Sequence, residues 1–274
     1  MPILTDDQVA HFQREGWLAV PDYFSPIEVV ALQREVSRLQ GAGLLRNVAT
    51  AGDGRTISKT VVNLQICPVT PASPLISALK YRERTVDTIR QLVGDPVVFR
   101  LDQIFLKPGM HGAGTKWHQD NAYWHQPEPT RGTGMWIAVH EATRANGTMH
   151  IVPRSHVALR PHERDLGSDH HVFAPAVRDE DALPIELPAG GVLFFNFGIL
   201  HCTHGNKTTA ERAGLALHFI NGDYTTPEFM QDFCIVRLTD RTGARVPGAE
   251  DSGAWEAGVA ATASGAAARA GGGA

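Results

Sequence analysis

The chain of 274 residues is short of several features that define whole classes of protein. Its three cysteines, Cys67, Cys202 and Cys234, are odd in number and far apart. They make neither a disulfide framework nor a Cys-x-x-Cys metal knuckle, and a reducing compartment suits them. No apolar run approaches the roughly 18 residues of a bilayer crossing. The opening MPILTDDQVAHFQREG is acidic and polar where an export signal would be basic and then apolar. A cytoplasmic protein with no membrane partner is expected. Basic residues are not in excess either: 25 Lys and Arg against 29 Asp and Glu leave a net charge of −4. A surface for nucleic acid would need a clustered positive excess, so that partner is not expected. The glycines form no GxGxxG or phosphate-loop motif, and no repeat of 20 to 50 residues is present.

What is present suits one β-rich domain with additions. Thr5 followed by Gln8 has the spacing of a capping box, with Val9 and Phe12 on one helical face before Gly16. Ser25-Pro26 opens a second helix with an apolar stripe through Val29, Leu32, Val36 and Leu39. After about residue 60 the pattern changes to short apolar runs between Gly, Pro and Asn. Strands are predicted at 97–105, 134–140, 148–152, 192–197 and 214–220, with one helix over 75–93. The spacing predicts a mainly β jelly-roll barrel with flanking helices. Residues 160–188 read as a long loop over one barrel end, a common form for a functional lid. The domain is expected to span 1–247, and 248–274, rich in Ala and Gly, to be a flexible tail.

Thirteen histidines are many for this length. His118 and Asp120 are two apart, and on a strand both side chains would point to one face. A third ligand can come from His201, at the end of the apolar run from Gly191. Two imidazoles and one carboxylate on one side of a metal leave its other positions open, as in non-haem Fe(II) oxygenases. Arg212, at the head of the next apolar run, is spaced for a hairpin returning beside the metal-bearing strand. A buried guanidinium there would suit a carboxylate co-substrate. Alone, the H-x-D tripeptide is weak, and a histidine bonded near a turn is the plainer reading. The same three ligands could hold Zn2+ for hydrolysis, or serve a barrel that binds metal or a small acid as a sensor. The hydrolase reading needs a general base and gives Arg212 no role.

The segments LTDDQVAHFQREGWLAVPDYFSPIEVVAL, WHQDNAYW, MWIAVHEATRANGTMHIVPRSH and HCTHGNKTTAERAGLALHF stand in this order. Together the sequence resembles the phytanoyl-CoA dioxygenase family of Fe(II)- and 2-oxoglutarate-dependent oxygenases. The resemblance implies a double-stranded β-helix (cupin-like barrel), with His118, Asp120 and His201 as iron ligands and Arg212 on the distal carboxylate of 2-oxoglutarate. It further implies that Gln103, Lys107, Trp136 and Thr203 line the co-substrate pocket. O2 would be the oxidant, with hydroxylation of a small organic metabolite yielding succinate and CO2. Halogenation is disfavoured because halogenating relatives vacate the carboxylate position that Asp120 fills. The chain departs from the family pattern at Arg154, where Gly is usual, and at His204, where a small residue is usual. A register with His204 in place of His201 is the alternative third ligand.

The remaining candidates are substrate contacts. His111 lies in a Gly-rich turn before the H-x-D motif, and Trp117, Tyr123 and Trp124 flank the motif. Asn63 is a polar residue in an apolar run. Each has a structural alternative, as a loop histidine, core aromatics or a buried hydrogen-bonded amide. His125, His140, His150 and His156 read as sheet or loop histidines, His170 and His171 as part of the lid, and Cys202 as a small packing residue.

Overall fold

Two helices open the chain, and each is set by its first turn. The Thr5 hydroxyl accepts from the Gln8 amide, and the Gln8 side chain accepts from the Thr5 amide, starting α1 (Asp6–Glu15). Gly16, left-handed at φ 84°, ends it. Ser25 and Glu28 repeat this box at α2 (Pro26–Gly41), with Pro26 in the first turn. The computed structural model describes residues 3–232 and 234–264.

The remaining regular structure is mostly antiparallel sheet. The larger sheet runs β1 (Trp17–Val20), β11 (Val192–Asn196), β6 (Gly132–Ala138), β13 (Arg212–Asn221), β4 (Val97–Lys107), β3 (Leu64–Ile66) and β2 (Arg46–Asn47), and β14 (Val236–Arg237) adds to β4. The smaller sheet runs β10 (Leu183–Ile185), β7 (Met149–Val152), β12 (Leu200–Thr203) and β5 (Thr115–His118). A ribbon of β8 (Glu163–Arg164) and β9 (Val172–Phe173) lies in the 160–188 segment. The two sheets form the expected jelly roll, a double-stranded β-helix.

Strand alternation divides the larger sheet into two faces. Along β13, Ala213, Leu215, Leu217 and Phe219 join Leu32, Val36, Ile76 and Ile89 in the main core under the helices. Arg212, Ala216 and His218 face the interior cavity. In β4, Ile104 and Leu106 enter that core while Gln103, Phe105 and Lys107 line the cavity. No helix among the described residues is long and apolar enough to cross a membrane.

Four expectations need correction. The helix over 75–93 is two, α3 (Pro74–Leu79) and α4 (Glu83–Val93). The chain breaks between them where Lys80 is buried, its ammonium donating to Thr70 and Ser77. The apolar run ending at His201 is also two strands, β11 and β12, parted by a turn in which the Asn196 side chain accepts from the Gly198 amide at 3.1 Å. Arg212 does not begin a hairpin partner of β12: β13 pairs with β4 and β6 in the other sheet, so the intervening loop crosses the barrel.

The fourth concerns the segment from 248. Ala254–Ala263 form α6, which packs on α2 and α3. The reason is Trp255, 1% exposed, whose indole donates to Glu28 at 2.8 Å. Arg82 reaches the same carboxylate at 2.6 Å. Residues 265–274 of the expected tail lie outside the described residues. Removing a buried tryptophan leaves a large cavity, so Trp255→Ala should destabilise the domain by about 3–5 kcal/mol. Urea unfolding measures this, and a loss below about 1 kcal/mol would mean that α6 adds little to the fold.

Candidate active site

His118 is the last residue of β5 and pairs directly with His201 of β12. Asp120 does not continue the strand. Its backbone is helical, at φ −57° and ψ −31°, and begins the short α5 (Asn121–Trp124). The turn is held from both sides: the Gln119 amide donates to His162 at 3.0 Å and the Asn121 amide to the Phe197 carbonyl at 2.9 Å. A tight turn therefore does what strand alternation was expected to do, and brings the carboxylate back beside the imidazoles.

The distances are short. Asp120 Oδ1 lies 3.7 Å from His118 Nε2 and 3.5 Å from His201 Nε2, and all three residues are buried. Each histidine turns its Nδ1 to a carbonyl two residues back, His118 to Lys116 at 2.8 Å and His201 to Ile199 at 3.0 Å. A proton on Nδ1 satisfies those carbonyls and leaves both Nε2 lone pairs aimed at one point. Burial, with His201 close by, lowers His118 to about 3, so it is neutral and free to ligate. Burial alone would raise Asp120, but the imidazoles of His201, His218 and His118 hold it well below the usual carboxylate range. Asp120 Oδ2 is buried with no hydrogen-bond partner. Two lone-pair nitrogens and a carboxylate oxygen within 4.8 Å are the donor set of a divalent transition metal.

A pair of buried cations occupies the other end of the cavity, which has a volume of about 210 Å³. Arg212 is fully buried, with Nη1 unpartnered, and burial lowers it to about 10. Nη2 donates to the Gly147 carbonyl, and the guanidinium lies 5.6 Å from the Trp136 ring centre. Gly147, at φ 81°, is needed there: a Cβ would meet the His204 carbonyl at 2.2 Å. Lys107 stands opposite Arg212 in the β4–β13 pair. Its ammonium donates to Thr203 Oγ1 at 2.8 Å and to the His204 carbonyl. Burial, with the Arg212 charge, pulls it well below the usual lysine value. Among the described residues no carboxylate lies within ion-pair distance of either cation. An unpaired buried cation is costly, so this end is built for an anionic ligand.

Gln103, Lys107, Trp136, Thr203 and Arg212 all reach the cavity wall, as do Tyr123 and Trp124. Three candidates do not. Trp117 points to the opposite face of β5 from His118, packs with Ala174, Leu200 and Cys202, and donates to Asp179 at 2.8 Å. His111 is exposed in its loop, and its carbonyl accepts from the Val62 amide. Asn63 is buried behind the wall, where its side chain accepts from Gln65 at 3.3 Å. Gln65 in turn accepts from Gln103 at 2.8 Å. His204 is outside, beside Asp179, so the alternative register for the third ligand has no support in the geometry. Arg154 is left-handed at φ 61°, the conformation for which Gly is suited, and its guanidinium grips Glu15 at 2.7 and 2.9 Å.

One site residue went unread in the sequence, and a second was read only as part of the lid. His218 Nε2 lies 3.5 Å from Asp120 Oδ2. The signal was available, since His218 is six residues after Arg212 on one strand and therefore on its face. His171, from the 160–188 loop, closes the wall against Gln65 with its neighbour His170. No local pattern marks it.

The phytanoyl-CoA dioxygenase family model matches residues 12–214. The ectoine dioxygenase of Sphingopyxis alaskensis is 29% identical over 231 residues, covering 77% of this chain and 74% of that protein. The crystal structure of EctD from S. alaskensis with 2-oxoglutarate and 5-hydroxyectoine superposes with a TM-score of 0.63 at 23% identity, covering 83% of each chain. SnoK, a non-haem α-ketoglutarate-dependent carbocyclase of nogalamycin biosynthesis, gives 0.67 at 19% identity, over 80% of this chain and 85% of that one.

Metal-free stability should depend on pH in a definite sense. Folded His118 and His171 sit below the ordinary value of 6.5. As pH falls through that value the unfolded chain binds protons that the folded chain does not, so stability declines from about pH 6.5 downwards. Depressed Asp120 adds a further loss below about 3.8. Urea midpoints from pH 8 to 4 measure this, and a flat profile would mean that these rings protonate within the fold.

Proposed function

Because the chain belongs to the phytanoyl-CoA dioxygenase family, we propose that its cavity hydroxylates a C–H bond of a small organic metabolite, with His118, Asp120 and His201 holding the iron. The enzyme is a non-haem Fe(II)- and 2-oxoglutarate-dependent dioxygenase. The observation that carries the reading is the pairing of a convergent His, Asp, His donor set with the buried Arg212 and Lys107, which have no ion-paired carboxylate among the described residues. Metal ligands alone would suit a hydrolase or a sensor as well. Arg212 and Lys107 discriminate, because a diacid is the ligand that satisfies metal and cations together.

The roles follow from position. Arg212 takes the distal carboxylate of 2-oxoglutarate, with the free Nη1 as donor and Trp136 beneath the guanidinium. Lys107 and Thr203 form the polar wall beside it. When bound, the iron supplies the oxidation: R–H, O2 and 2-oxoglutarate become R–OH, succinate and CO2. The chain supplies orientation and a dry space. Tyr123, Trp124 and Phe195 give the cavity apolar walls, while His170 and Cys67 are exposed lining residues where a substrate can enter. A cavity of about 210 Å³ suits a compact metabolite. Relatives named for ectoine make a small solute a sensible first library.

Anaerobic titration with Fe(II) and then 2-oxoglutarate should produce the visible metal-to-ligand charge-transfer band of a chelated 2-oxo acid, absent in His118→Ala. Arg212→Ala removes one partner of a buried charge pair, about 2–5 kcal/mol. It should weaken 2-oxoglutarate binding by about 30-fold or more and leave Fe(II) affinity within a few-fold. Equal loss of both ligands would make Arg212 structural.

A further inference from the structure

The outer face of the smaller sheet carries a second group of metal-ligating side chains. In the β7–β12 pair Cys202 stands directly opposite His150. His204 follows the last residue of β12. Met149, His201 and Thr203 line the central cavity, which His150 and His204 do not reach; Cys202 borders that cavity and the outer cleft alike, and packs with Trp117 and Leu200 on the outer side. The His150 and His204 rings meet edge to face, with centroids 4.4 Å apart. One donor atom from each of His150, Cys202 and His204 lies within 4.8 Å of the other two.

Two further observations point to a ligand. His150 Nδ1 is 3.2 Å from the Thr148 carbonyl, which places the proton there and leaves Nε2 as a lone-pair donor. Asp179 arrives from the loop that crosses this face, with Oδ2 3.5 Å from His204 Nε2. Its Oδ1 is fixed by the Trp117 indole at 2.8 Å. A cleft beside the cluster is lined by Trp117, Asp179, Cys202 and His204, and the His204 side chain is 40% exposed, so an ion can reach the site from solvent.

We propose that His150, Cys202 and His204, completed by Asp179, form a second metal site for a borderline-soft divalent cation of the Zn2+ class. One sulfur and two imidazole nitrogens favour zinc over Mg2+ or Ca2+, which take oxygen ligands. Zinc bonds of about 2.0–2.3 Å place tetrahedral ligand atoms roughly 3.3–3.8 Å apart. Rotation of exposed His204 and a small shift of loop-borne Asp179 close the present spread. The two sites share no ligand but share a strand, since β12 gives His201 to one and Cys202 to the other. An ion here pins the 172–183 segment, which carries Asp179, to β12.

Cobalt(II) distinguishes the site from the central one, whose proposed ligands include no thiolate. Full-length protein, kept reduced, is titrated with Co2+. A near-ultraviolet thiolate-to-cobalt charge-transfer band is expected, bleached by added Zn2+. Cys202→Ser should abolish the band, and His204→Ala, at a half-exposed position, should weaken cobalt binding tenfold or more, with circular dichroism confirming the fold of each. No band in the wild-type protein overturns the proposal. So does a band that survives Cys202→Ser, which would place the thiolate at Cys67 or Cys234. Unchanged affinity in His204→Ala would overturn it as well.

Discussion

His201 faces His118 across the antiparallel pair of β12 and β5, and the rest of the site is arranged around that register. Strand side chains alternate, so a slip of one residue would turn Leu200 and Cys202 inward and carry His201 to the outer face. Several contacts oppose the slip. The other edge of β12 pairs with β7 from Leu200 to Thr203. The Ser155 hydroxyl accepts from the Leu200 amide and donates to the Val152 carbonyl, both at 2.7 Å. The pairing with β5 becomes irregular between His201 and Thr203, where the Thr203 hydroxyl accepts from the Thr115 amide and from Lys107. The register thus orients one metal ligand and one wall of the co-substrate pocket at once.

Charge is distributed along the cavity in a way that folding alone would not favour. A carboxylate sits among three imidazoles at one end, and Arg212 and Lys107 lie buried at the other. The imidazoles balance the carboxylate, whereas among the described residues no carboxylate pairs with Arg212 or Lys107. Buried charge without a partner opposes folding, so the domain spends part of its stability on a cavity that a cation and a dianion would complete. The large apolar face of the main sheet, packed under α1 to α4, offsets that. One strand carries both demands: in β13 the odd-numbered residues from Ala213 to Phe219 belong to the scaffold, and Arg212, Ala216 and His218 to the cavity.

Much of this could be read from residue order. The capping boxes at Thr5 and Ser25 are local, and so are the apolar runs of the main strands; both lie where their spacing put them. His118, Asp120, His201 and Arg212 were legible through the motifs that resemble the family, although a turn brings in Asp120 and the other sheet brings in Arg212. What was not legible depends on the path of the chain between elements. The turn at Asn196 divides one apolar run into two strands, and Arg212 belongs to the opposite sheet from His201. Trp117 was misread because a residue beside a ligand on a strand faces away from it. His111 and Asn63 failed because an exposed loop holds the one and a buried amide network the other, off the cavity wall. His171 comes from a loop whose position is a tertiary matter.

Trp255 has a consequence in time. Glu28 makes the first turn of α2, takes Arg82 from the loop between α3 and α4, and waits for an indole that lies near the far end of the described chain. During synthesis every proposed ligand of the iron and of 2-oxoglutarate emerges well before Trp255 does. A nascent chain therefore owns its chemistry before it owns its closure. Contacts of such long sequence separation form late, because the intervening chain must first be ordered. The helical layer behind the main sheet is completed by α6, the last of the described helices, and a ribosome that stalls short of it leaves a barrel with all its reactive groups and an open back.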